Sequence, residues 1–132
     1  MGLDMYAYRT SVQLSKSVDF QDEIRSNENG ESNCSELAYW RKHPNLHGWM
    51  EHLYREKGGI DESFNCVPIE LTMEDLNRLE EDIKDGSLPE TGGFFFGSSR
   101  GNDEEVHRDL MFVKEARNAI MEGDRVFYES WW

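Results

Sequence analysis

Positive charge is scarce in this chain. Fourteen lysines and arginines face 27 aspartates and glutamates over 132 residues, a formal net charge of −13. Such a surface repels phosphate backbones and anionic headgroups, so direct nucleic-acid binding and adsorption to anionic membranes are excluded as general functions. A small anion can be held only where the few cations converge. Cysteine is scarcer still: Cys34 and Cys66 make neither a disulfide framework nor a zinc motif. Reduced thiols in a cytoplasm are expected, with core packing as their role. No apolar run approaches the roughly 20 residues of a membrane span. The start, Met1-Gly2-Leu3-Asp4-Met5, has neither the basic residues nor the apolar stretch of a secretion signal. Tyr6 stands where a myristoylation signal has Ser or Thr.

Aromatic residues are plentiful, at 12%, enough for one core in a single domain spanning 1–132. Residues 3–14 alternate as a strand, Leu3, Met5 and Ala7 against Asp4, Tyr6 and Tyr8. The polar stretch 15–33, with the turn dipeptide Asn29-Gly30, reads as a loop or weak hairpin. A helix is expected from Asn33 or Ser35 to Lys57, stopped by Gly58-Gly59 and interrupted by Pro44. Pro44 leaves two outcomes open: one kinked helix, or two helices with the second starting at His43-Pro44.

Cys66–Leu71 reads as a short strand that Pro68 confines to a sheet edge or bulge. Thr72 is the expected cap of a helix over Met73–Lys84, ended by Gly86. Phe94-Phe95-Phe96, bracketed by glycines, reads as a buried strand. A helix over Asp103–Met121 with a stripe of Val106, Leu110, Val113, Ala116 and Ile120 follows, then a strand over 125–132. The expected fold is α+β: a small antiparallel or mixed sheet of about four strands packed with about three helices.

The densest chemistry lies in Tyr39-Trp40-Arg41-Lys42-His43-Pro44-Asn45-Leu46-His47-Gly48-Trp49. On a continuous helix Trp40, His43 and His47 share one side. Arg41 offers a planar fork and Lys42 a point charge to phosphate or carboxylate, and Trp40 or Trp49 a face for a base or sugar. The bland reading is a solvated edge whose cations pair with the abundant acids. His43 and His47, spaced i, i+4 with Glu51 a turn further, have metal-ligand spacing. They lack a His-Glu-x-x-His motif, and no metal or cofactor is expected. Gly97-Ser98-Ser99-Arg100, before a helix N-terminus, can cradle an anion through backbone N–H groups, against which Asp103-Glu104-Glu105 crowd the same helix start. Asp4, an acid in an otherwise apolar strand beside Tyr6, needs a partner, for which Arg41 is the candidate.

Five segments together, Met1-Gly2-Leu3-Asp4-Met5-Tyr6, Tyr39 to Trp49, Phe64-Asn65-Cys66-Val67-Pro68, Gly93-Phe94-Phe95-Phe96-Gly97 and Ser130-Trp131-Trp132, resemble a family of small proteins from tailed bacteriophages and prophages. The resemblance spans nearly the whole chain. It implies a phage source and expression in the cytoplasm of an infected host, and no catalytic residues. A phosphoglycerate kinase label attached to some family members does not suit 132 residues without a nucleotide loop.

The leading expectation is a phage accessory protein that sequesters a small anionic, nucleotide-like ligand, for host takeover or anti-defence. Its site would comprise Asp4, Tyr6, Trp40, Arg41, Lys42, His43, His47, Trp49, Gly97, Ser98, Ser99 and Arg100. A homo-oligomer with the site between subunits would concentrate its few cations. The alternative is an acidic inhibitor or nucleic-acid mimic that binds a host protein. A third reading is an enzyme acting on a nucleotide with His43 or His47 as general base.

Overall fold

The alternation at the start of the chain is realised as a central strand. In the computed structural model, which describes residues 2–24, 34–91 and 102–132, β1 (Asp4–Thr10) buries Met5 and Ala7 completely and leaves Tyr6 and Tyr8 partly exposed on its other side. It pairs antiparallel with β2 (Cys34–Arg41) on one flank and with the terminal β4 (Arg125–Trp131) on the other. β3 (Ile69–Leu71) closes the far side of β4, giving the order β2-β1-β4-β3, antiparallel throughout. Three helices complete the α+β fold: α1 (Pro44–Glu56), α2 (Met73–Asp85) and α3 (Asp103–Met121).

The strand at 34–41 corrects the expected helix there. Its partner β1 offers a complete ladder, with Met5 opposite Trp40 and Tyr6 opposite Tyr39, and tertiary pairing overrides a weak local preference. A bulge between Ala7 and Tyr8 absorbs one extra residue of β2. Pro44 then starts a helix at its first position, as a proline can, so the second of the two outcomes holds for α1 alone. The expected strand at Phe94–Phe96 lies outside the described residues. Pro68 sits just before β3, at the end of the sheet order. Ser17 accepts from the Glu70 N–H, and Asp19 donates to the Pro68 carbonyl, so residues 17–19 cover that edge.

The helices lie on one face of the sheet. α3 runs against β2 and β4, and α2 against α3 and β3. Their core joins Met5, Ala7, Trp40, Val126, Tyr128, Ile69 and Leu71 from the strands to Leu46, Met50, Leu76, Leu79, Phe112 and Val113. α2 has the expected start: the Thr72 hydroxyl accepts from the Asp75 N–H and the Asp75 carboxylate accepts from the Thr72 N–H, a capping box that also holds Lys57. Among the described residues, no helix is long and apolar enough to cross a membrane.

Gly48, inside α1, is required by its neighbour rather than by helix chemistry. A Cβ there would stand 2.0 Å from Thr91 Oγ1 and 3.0 Å from Thr91 Cβ. Thr91 is itself held by the Asn45 side chain, 2.9 Å from its N–H, and by its own hydroxyl on Pro89. Gly48→Ala is therefore expected to destabilise by about 1–3 kcal/mol through overpacking, despite a gain in helix propensity of about 1 kcal/mol. Thermal melts of Gly48→Ala with and without Thr91→Gly check it: the second change should recover much of the loss.

Candidate functional site

The corner between β2 and α1 is a forced turn. Lys42 adopts φ 56°, in the left-handed region that a side chain resists. The Lys42 N–H donates to the Leu3 carbonyl at 2.9 Å, which fixes the turn against the start of β1. His43 follows as the residue before α1, with no capping bond from its side chain. Freed from capping, the imidazole is buried, 3% exposed, against α3.

What meets it there is Asp109. The Trp40 indole N–H donates to Asp109 Oδ1 at 3.0 Å, and His43 Nε2 lies 2.8 Å from Asp109 Oδ2. Against a carboxylate acceptor, Nε2 is the ring nitrogen that donates. The other ring nitrogen, Nδ1, faces Glu105 Oε2 at 3.7 Å. Glu105 and Asp109 are one helical turn apart on α3, so His43 sits between two carboxylates of one helix face. Asp109 itself is 2% exposed, a buried charge satisfied by two donors.

Beside this triad lies a cleft of about 420 Å³, walled by Trp40 and His43 on one side and Asn102, Glu104 and Glu105 on the other. Arg41, Lys42, His107 and Arg108 rim it. Three formal positives thus meet two formal negatives, in a chain where acids outnumber bases almost two to one. Arg41 lies 3.8 Å from Asp4. Lys42 and Arg108 are exposed and make no ion pair among the described residues. α3 begins at this cleft, with Asn102 Oδ1 accepting from the Glu105 N–H at 2.9 Å.

Of the expected site residues, Trp40, Arg41, Lys42 and His43 come together here. Trp40 differs from expectation in its role: it is 1% exposed and packs edge-on against Phe112, so it is a wall and not a stacking platform. His47 is withdrawn into the core. It is 2% exposed, shares a 2.8 Å hydrogen bond with the Tyr128 hydroxyl and packs on Phe64. Burial drives its pKa down to about 4, so it is neutral at physiological pH and offers no charge to an anion. Trp49 is 7% exposed and donates to Asp82, tying α1 to α2. Asp4 and Tyr6 lie on the opposite face of the sheet, where the Tyr39 hydroxyl donates to Asp4 at 2.7 Å. Gly97, Ser98, Ser99 and Arg100 lie outside the described residues. Because His43 precedes α1 and His47 points into the core, the pair does not converge. Among the described residues, no group of three His, Cys, Asp or Glu side chains is arranged to hold a metal ion.

Sequence reasoning missed Asp109, Glu105, His107 and Arg108. The expected α3 stripe ran through Val106, Leu110, Val113, Ala116 and Ile120; Val113 and Ala116 are deeply buried, but so are Asp109, Phe112 and Ala119, which that stripe left out. The usable signal was Phe112, three positions after an acid: a stripe drawn through Phe112 at helical spacing includes Asp109. Comparison with protein-family models, with curated proteins and with solved structures returned no match.

Proposed function

We propose that this protein binds a small anionic ligand, a phosphate- or carboxylate-bearing molecule of nucleotide size, in the cleft between the Arg41–His43 corner and the first turns of α3. The observation that carries the reading is the placement of Lys42 and Arg108, unpaired among the described residues, with Arg41 around one cleft of about 420 Å³. That volume falls within the range of small-molecule sites. Arg41 and Arg108 supply forked donors and Lys42 a mobile charge. His43 and Trp40 form the wall. The corner supports this assignment: the Lys42 N–H bond to Leu3 and the Asp109 bonds fix its backbone and the Trp40 and His43 side chains beside the cationic rim. With the resemblance to small phage proteins, the role would be sequestration of a host metabolite or signalling nucleotide in an infected cell.

Native mass spectrometry with a panel of mono-, di- and cyclic nucleotides tests the proposal. A retained adduct is expected, weakened at least about tenfold in Lys42→Ala/Arg108→Ala and strengthened in Glu104→Gln, which removes an acid from the rim. An adduct indifferent to all three changes would place the ligand elsewhere.

A further inference from the structure

The helices cover one face of the sheet; the other carries an aromatic row that the cleft does not use. Tyr6 and Tyr8 of β1 stack at 6.0 Å, and Tyr39 of β2 leans on Tyr6 at 5.1 Å. Trp131 of β4 is 64% exposed and Tyr39 41%. Set among these rings is Glu129, directly opposite Tyr6 in the β1–β4 ladder. Phe127 and Trp131 flank it along its own strand, and Tyr8 and Asp4 stand on the diagonals. The Glu129 side chain makes no hydrogen bond or ion pair among the described residues, and burial alone pushes its carboxyl above the usual range. A partly desolvated acid without a partner is an unusual thing to keep in a sheet.

We infer that this sheet face is a docking surface for a basic segment of another protein, with an arginine or lysine side chain placed on Glu129 between Tyr6 and Trp131. The chemistry of the face selects a cation. Ring faces attract ammonium and guanidinium groups, and Glu129 supplies the counter-charge. The rings stay neutral: burial and Glu129 push the Tyr8 phenol up to about 12, and those of Tyr6 and Tyr39 are also raised, Tyr39 chiefly by its bond to Asp4.

A peptide suits the face better than a lone small cation. Carboxylates recur across three strands, at Glu36, Asp4 and Glu129, spread over roughly 10 Å across the strands and about 14 Å along them. A chain carrying several cations matches that repeat. The net charge of −13 opposes a second copy of this protein and favours a basic partner.

The probe is an N-acetylated hexa-arginine peptide, titrated into the full chain by calorimetry. Saturable binding is expected, falling at least about tenfold in Glu129→Gln and in Trp131→Ala, and unchanged in Glu81→Gln on the exposed side of α2. Glu129→Gln also carries its own folding control. An acid whose folded pKa is raised loses stability to the fold as pH climbs above its unfolded pKa, so the amide should melt higher than the parent at neutral pH. Hexa-arginine binding equally weakened by Glu81→Gln would mean diffuse attraction to net charge and would overturn the inference. So would binding that Glu129→Gln leaves intact in a protein that melts at or above the parent temperature.

Discussion

Asp109→Ala should lose about 3–5 kcal/mol of stability, the cost of stripping one member from a buried, hydrogen-bonded charged cluster. The change leaves the Trp40 indole N–H and His43 Nε2 facing each other's empty partner in a region where both residues are at most 3% exposed. It also opens space beside Phe112, on which Trp40 packs. Set against a typical total of about 5–15 kcal/mol, this is a large share of the fold's stability. Asp109→Asn separates the two contributions. Asparagine keeps an oxygen for the Trp40 N–H, and its amide can donate to His43 once the imidazole proton moves to Nδ1, toward Glu105. Its loss should be smaller, about 1–2 kcal/mol. Denaturant titrations of the three proteins measure this directly. Equal losses for alanine and asparagine would mean that the charge of Asp109, not its bonds, holds the corner.

The second large effect is a dependence on acid that traces to His47. Its folded pKa of about 4 lies well below the ordinary 6.5 because burial disfavours the cation. The unfolded chain therefore binds a proton on His47 that the folded chain refuses. The stabilisation is fully present above pH 6.5 and is lost as pH falls from there toward 4. The gap corresponds to about 3 kcal/mol over that window. His47→Gln removes the titrating group. Its stability at pH 7 should drop, because the packing on Phe64 and the bond to Tyr128 suffer. Between pH 6.5 and 5 its stability should then run flatter than that of the parent, before carboxylate titration dominates. Chemical denaturation at a series of pH values checks the difference between the two curves. Parallel curves would show that His47 keeps its ordinary pKa in the fold.

The parts of the fold legible in the sequence were those in which local pattern and tertiary demand agree. β1 alternates cleanly, Thr72 and Gly86 bound α2 almost to the residue, and α3 occupies its expected span. At 34–41 they disagree. Leu37, Ala38 and Trp40 fit a helix or a strand, and what decides is a β1 edge far away in sequence. Pro44 was a sound marker of a break, but a break says nothing of what precedes it. The candidate site was harder to see for the same reason. His43 and His47 look equivalent in sequence, yet one ends a turn beside α3 and the other points at Tyr128. Asp109, which bonds the corner, and Arg108, on the cleft rim, come from a helix more than sixty positions along the chain from Trp40. Periodicity reports which side of a helix is buried only when the buried side is apolar, and here it holds an aspartate.

The central claim, that an anion seats in the cleft, is tested most directly by a nitrogen–proton NMR titration of the whole protein with a nucleoside monophosphate and, separately, with inorganic phosphate. The account predicts saturable shifts of the Trp40 indole N–H and of the Lys42, His43 and Arg108 amides, with Glu129 and Trp131 left in place. The absence of any saturable shift at those four residues, or shifts gathered instead around Tyr6 and Glu129, would contradict it.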